Sequence, residues 1–242
     1  MIKLNYTTLF SFCWGAKYFE ATLKSVLSSQ KYVTFDKCII ASNIDISKYS
    51  EVLNSNKIDI LHIDINLNDN LENDDNNRQH FSSLFLNTLH EACTTDYILT
   101  IQQDSGVIFP EKWSNGFFDY DYIGAPWPME IIQASDMVAG KITKIKNIVG
   151  NGGFSLRSKK YVDISRNLPT YHKNEDLNIC IFNYDEMKAQ NIKFAPPEIA
   201  VRFAVEHPIK NLHVFDRNFL PTYQSFGFHG NFNKAGINYI NQ

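Results

Sequence analysis

The chain has 242 residues, 44% of them hydrophobic, enough to bury a full core in one large domain or two small ones. Its 23 Lys and Arg against 26 Asp and Glu give a net charge of -3 with both signs scattered, which excludes the basic stripe that drives nucleic-acid binding. Four cysteines, Cys13, Cys38, Cys93 and Cys180, stand singly in apolar surroundings with no Cys-x-x-Cys pair, so they read as reduced core residues rather than zinc or redox ligands.

Residues 7–13 form a near-continuous apolar, β-prone run, the pattern of a strand buried on both faces. Ser, Cys and Trp interrupt the stretch that begins at Thr8, which sets it apart from the apolar region of a signal sequence. No apolar run reaches the ~18 to 20 residues that a membrane helix needs. Cytoplasmic residence is the expectation, with peripheral attachment to the inner face of a membrane compatible with it. Over residues 17–29, Phe19, Leu23, Val26 and Leu27 recur at helical spacing, so a helix follows the first strand. Residues 37–41 and 57–65 are the next strand candidates. Residues 66–78 are loaded with Asn and Asp but lack the central Gly and closing Glu of a calcium loop, and read as a solvated loop. Residues 81–92 read as a helix feeding a strand over 97–101. This alternation predicts an α/β fold with a mostly parallel central sheet flanked by helices.

Beyond residue 105 the pattern changes to short aromatic segments punctuated by Gly and Pro. A strand is expected over 154–156 and a helix over about 175–190, while residues 199–205 alternate like a strand.

The most informative feature is Gln102-Gln103-Asp104-Ser105, which closes the apolar run 97–101. A strand ending in an acid delivers a carboxylate to the carboxyl edge of a sheet, where open α/β folds bind their ligands. Downstream, in order, come Tyr120-Asp121-Tyr122-Ile123-Gly124-Ala125-Pro126-Trp127, then Gly150-Asn151-Gly152-Gly153-Phe154-Ser155-Leu156-Arg157-Ser158, then Glu175-Asp176, then Phe226-Gly227-Phe228-His229-Gly230. From about residue 6 to residue 230 this series resembles the GT-A-fold glycosyltransferases, in particular small bacterial polysaccharide-type transferases with Q-x-D-S in place of D-x-D. The resemblance implies a single GT-A, Rossmann-like domain over 1–242, with a nucleotide-binding half of about 1–105 and an acceptor-binding half of about 106–242. It also implies a nucleotide-sugar donor of the UDP-sugar kind, a glycan or lipid-linked glycan acceptor, and a part in surface polysaccharide assembly.

Expelling a diphosphate from the donor calls for stabilisation of growing negative charge, which Mn²⁺ or Mg²⁺ supplies with one or two carboxylates and the substrate phosphates as ligands. Asp104 is the candidate ligand, and Gln102 offers an uncharged acceptor where D-x-D has its first Asp. His229 is the late histidine that the resemblance assigns to metal or diphosphate; a loop cap is the plainer alternative. Gly152 and Gly153, with Gly150, allow φ > 0 and close approach of backbone N–H groups to a ligand. Arg157 either offsets diphosphate charge or pairs with a surface acid. Trp127 offers a flat face for a sugar ring or fills core. Glu175 and Asp176 follow Asn174 at a helix start, where the helix dipole alone accounts for acids; the resemblance makes one of them, Asp176 first, the general base. Asn43, at the end of the second strand, is placed near the nucleobase by position only.

Two other readings compete. A sugar-phosphate nucleotidyltransferase would share sheet and metal but needs a G-x-G-x-R loop after the first strand, where this chain reads Phe12-Cys13-Trp14-Gly15-Ala16-Lys17. A non-catalytic glycan-binding or scaffold protein of the same fold is supported by the neutral Gln102.

Overall fold

In a computed structural model, which describes residues 1–64, 75–128, 145–207, 225–230 and 234–241, the first strand β1 (Ile2–Cys13) runs through the centre of a six-stranded sheet. It is longer than its apolar core. Residues 2–4 pair with β2 (Val33–Ser42) alone, and the chain resumes pairing at Thr8 after a bulge that holds Tyr6 at φ 60°. The pairing with β4 (Tyr97–Ile101) starts only at Thr7, so the early segment lacks a neighbour on one side and carries the exposed Lys3, Asn5 and Tyr6. Helix α1 (Ala16–Gln30) buries Phe19, Leu23 and Val26 against the sheet. Helices α2 (Ser50–Ser55) and α3 (Asp75–Ala92) flank the short strand β3 (Asp59–His62), which stops well before residue 65. Most of the expected Asn-rich loop lies outside the described residues.

The sheet order is β3-β2-β1-β4-β7-β6, with β6 (Tyr122–Gly124) at the far edge. Only β7 (Phe154–Ser158) runs against its neighbours. The chain winds outward from β1 through β2 to β3, then returns to place β4 on the other side of β1. That reversal opens a crevice at the carboxyl ends of β1 and β4, the position at which doubly wound sheets bind ligands.

A second, three-stranded sheet, in the order β5-β9-β8, packs behind it: β5 (Ser105–Val107), β8 (Ala204–Val205) and β9 (Gly227–His229). Phe226, at its edge, meets the rings of Phe154, Phe203 and Trp113, which joins both sheets through one aromatic core.

Two expected elements differ. The helix expected over 175–190 is broken: a single turn α4 (Glu175–Leu177) runs into a π turn (Asn178–Phe182), then α5 (Tyr184–Ala189). The buried Asn178 and Asn183 are the cause. Asn183 donates to the Asn178 and Pro169 carbonyls, and the Asn178 side chain accepts from the N–H groups of Tyr171 and His172, so the widened turn clamps the preceding loop. The strand-like alternation over 199–205 is instead helix α6 (Pro197–Phe203), started by Pro in its first turn, with two residues of strand after it. Among the described residues no helix is long and apolar enough to cross a membrane.

Candidate active site

A cleft of about 600 Å³ opens at the crevice between the ends of β1 and β4. One wall is aromatic. Phe12 and Trp14, at the end of β1, meet Phe81 of α3 at ring distances of 5.1 and 6.5 Å, and Tyr18 follows on α1. The turn that aims this wall is Gly15, whose φ of 78° suits glycine and whose N–H donates to Asn43 Oδ1 at 3.0 Å. Asn43 therefore holds the β1–α1 turn and stands outside the cleft lining.

The opposite wall is polar, formed by Gln102, Gln103, Gly152, Gly153, Glu175, Asp176, His229 and Lys173. The segment 102–105 is a tight turn closed by the Ser105 N–H to the Gln102 carbonyl, 3.1 Å, and by the buried Ser105 hydroxyl donating to the Gly153 carbonyl, 2.8 Å. It carries the chain from the main sheet to the small one, and so puts Asp104 just before β5. His229 ends β9, directly opposite Ser105, and Glu206 follows β8 beside it. Three strand ends thus converge. His229 Nε2 lies 3.5 Å from Asp104 Oδ1 and 3.1 Å from Gln102 Oε1, while Nδ1 lies 3.1 Å from Glu206 Oε1 and 3.0 Å from the Asn151 amide nitrogen. Burial alone would lower the imidazole pKa, but hydrogen bonds to Asp104 and Glu206 outweigh it and push it up to about 9. Gly230, at φ 99°, returns its N–H to the Asp104 carbonyl and closes the cluster.

Among the described residues, no three His, Cys, Asp or Glu side chains are grouped as ligands for a metal ion. Magnesium and manganese, however, commonly take few protein ligands and fill the rest with water and substrate phosphates. Asp104, Gln102 and His229 are chemically suited to that.

Asp176 is half-buried on the cleft wall, its Oδ2 accepting from the Gly152 N–H at 3.2 Å and its Oδ1 from the Leu177 N–H at 2.7 Å. Burial, then the adjacent Glu175, raise its pKa to about 7 against the lowering effect of those two N–H groups. A carboxyl poised there can take a proton at neutral pH. Glu175 is already engaged, by both oxygens, with Arg157 at 2.8 and 3.3 Å.

Arg157 is corrected in place. It is neither at the surface nor at a diphosphate position: its side chain is wholly buried beneath Phe85, Tyr122 and Tyr161 and does not line the cleft. Burial works against its charge and Glu175 more than offsets this, so the guanidinium is held protonated. Trp127 is likewise a core residue, 7% exposed, packed on Gly150 and outside the cleft lining. Positive φ is not the reason for the glycines of that turn, although Gly152 and Gly153 do line the cleft. Among the described glycines only Gly15 and Gly230 have positive φ; at Gly150, Gly152 and Gly153 a Cβ would run into Trp127, the Glu175 carboxylate and the His229 ring respectively.

Glu206, Asn151, Lys173 and the aromatic wall all escaped the sequence reading. Glu206 stood just past the misread 199–205 segment, and the logic that singled out Asp104, an acid at a strand end, applies to it. Asn151 sits within the glycine motif, where its amide accepts from the Gly153 N–H at 3.1 Å. The aromatic wall was legible only as core, because nothing in a strand pattern says that its last rings face a cleft.

The fold and this cleft define an α/β protein with a cleft at the switch point of an open sheet. The chain belongs to the family described as "Protein of unknown function (DUF5672)", which matches residues 66–229. No curated protein matches it. Among solved structures it is similar to a nucleotidyl transferase from Methanothermobacter thermautotroptrophicus, at 14% identity and a TM-score of 0.43 over 81% of this chain and 90% of that one.

Proposed function

We propose that the protein is a glycosyltransferase that moves a sugar from a nucleoside-diphosphate donor, of the UDP-sugar kind, to a hydroxyl of a glycan or lipid-linked glycan, with inversion. The observation that carries this reading is Asp176: a carboxylate on a cleft wall, poised near neutrality, while its neighbour Glu175 is fixed by Arg157. Asp176 takes the proton of the attacking hydroxyl. The aromatic wall suits a planar base or the apolar face of a sugar. Lys173 lines the cleft as a cation suited to the diphosphate, a part that His229 shares only where it holds no metal. Asp104, Gln102 and His229 would hold Mn²⁺ or Mg²⁺, which when bound neutralises charge on the departing diphosphate.

Turnover of a panel of nucleotide sugars, read as nucleoside diphosphate release in the presence of glycan acceptors, tests the proposal. Release that requires acceptor and disappears in Asp176→Asn supports it; no release from any donor overturns it. A non-catalytic glycan binder is the second reading, favoured by Gln102, whose carbonyl oxygen faces His229. Such a binder takes up glycan and ignores nucleoside diphosphates in calorimetry. The nucleotidyltransferase reading remains disfavoured, since Phe12, Cys13 and Trp14 occupy the cleft where that chemistry needs a glycine-rich loop.

A further inference from the structure

The backbone of one residue, Gly152, touches both the half-buried Asp176 and the buried guanidinium of Arg157. The N–H of Gly152 donates to Asp176 Oδ2, while its carbonyl accepts from Arg157 Nη2 at 3.5 Å and from the Ser155 hydroxyl at 3.2 Å. Arg157 Nε donates in turn to Ser155 Oγ at 3.0 Å, and the guanidinium fork grips both oxygens of Glu175, the residue before Asp176. Strand β7, the 150–153 turn and helix α4 are closed into one hydrogen-bonded circuit. Its space is fully used: a Cβ on Gly152 would stand 2.5 Å from Glu175 Oε1, 3.1 Å from Arg157 Nη2 and 3.3 Å from Asp176 Cβ. Arg157 has no access to a ligand, and a buried ion pair is weak evidence for stability, since apolar residues of similar volume often do as well. A planar, two-pronged donor at this place does something an apolar side chain cannot: it fixes the direction of a carboxylate and of the backbone that carries its neighbour.

We infer that Arg157, acting through Glu175 and the two peptide units that meet at Gly152, is the positioning residue of Asp176, holding that carboxylate toward the cleft beside Glu175. The inference rests on the proposed transferase reading only in calling Asp176 a base. Charged groups reach Asp176 from α4, as Glu175, and more weakly from the small sheet, as Glu206. Arg157 stands behind Glu175 and partly cancels its charge.

The test uses the full chain with ¹³C-labelled aspartate, the Asp176 signal being assigned by its loss in Asp176→Asn. In Glu175→Gln the fork retains an oxygen acceptor but the neighbouring charge is gone, so the titration midpoint of Asp176 falls by about one pH unit. In Arg157→Lys the charge stays but the fork is lost; turnover falls by roughly 10²-fold at unchanged donor KM, the effect of a misplaced reacting group. If Arg157→Lys does not fold, Ser155→Ala, which removes the acceptor of Arg157 Nε and a donor to the Gly152 carbonyl, reads the same circuit. An Asp176 midpoint and a turnover both unchanged in folded Arg157→Lys or in Ser155→Ala, even with a lowered thermal midpoint, overturn the inference, because a merely structural pair would give that result. If the wild-type protein turns over no nucleotide sugar, the transferase reading falls while the NMR titration still judges the positioning role.

Discussion

A Cβ on Gly153 would occupy the space of the His229 imidazole, so the ring that ends β9 is seated directly on the backbone of the glycine turn. The contact joins two segments 76 residues apart in the chain and sets how far the small sheet can slide toward the main one. We predict that Gly153→Ala displaces the ring, breaks its contacts with Asp104 and Glu206, and lowers stability by about 1 to 3 kcal/mol, as overpacking does. Nucleoside diphosphate affinity should fall at least tenfold. Wild-type affinity by calorimetry, in a variant of lowered thermal midpoint, would show that His229 does not serve the ligand.

How much of this was legible depends on the surroundings of each segment. Strand 97–101 was read with correct ends because Ile98, Leu99, Thr100 and Ile101 are all buried and no competing period exists. Segment 199–205 was misread because Ile199, Val201, Phe203 and Val205 alternate at period two. What decides there is Pro197 in the first helical turn together with the rings of Phe117, Phe154 and Phe226 around Phe203. Asp104 and His229 were readable as strand ends. Glu206 was readable by the same rule, one residue past the expected strand 199–205, although the strand that carries it has only two residues and pairs with β9. Arg157 was expected to meet solvent or substrate, because its partner lies 18 residues on and only the fold brings the pair together.

The raised pKa of His229 bears on metal binding. A ring that holds its proton up to about pH 9 must release it before Nε2 can serve as a ligand. If Mn²⁺ binds with the nucleoside diphosphate, close to one proton should therefore be released per metal at pH 7.5, and affinity should rise with pH through about 9. Calorimetry in buffers of different ionisation enthalpy reads the proton directly. Equal affinity with metal and with chelator, and no proton released, would leave His229 itself, as an imidazolium, and Lys173 as the cations for the diphosphate.

The place of Trp127 leads to a contrast between stability and binding. Packed on Gly150 within the core, it should cost about 3 to 5 kcal/mol when cut to Ala, the range for a buried large aromatic. Trp127→Phe should lose less and keep acceptor KM at the wild-type value. An acceptor KM raised tenfold in Trp127→Phe, with an unchanged thermal midpoint, would put this ring back against a sugar.

The last prediction concerns Asp176 and the direction of its pH dependence. The base is the deprotonated form, and its pKa stands at about 7, above the ordinary carboxylate range, so turnover should rise with pH and level off above about 7. The same sign appears if attack by the acceptor hydroxyl is rate-limiting, because protonated Asp176 cannot accept the hydroxyl proton. Asp176→Asn should lower turnover by ~10² to 10⁴-fold, the usual contribution of a general base. The donor dissociation constant should change little, since Asp176 faces the attacking group rather than the diphosphate, and the acid limb of the profile should vanish with the carboxylate. Attack opposite the leaving group makes the product anomer inverted, which NMR of the product reads directly. A retained anomer would require a nucleophile on the other face of the sugar. An Asp176→Asn enzyme with near-normal turnover would remove the carboxylate from the proton transfer, and with Glu175 bound at both oxygens by Arg157 no second acid among the described lining residues is placed to take over.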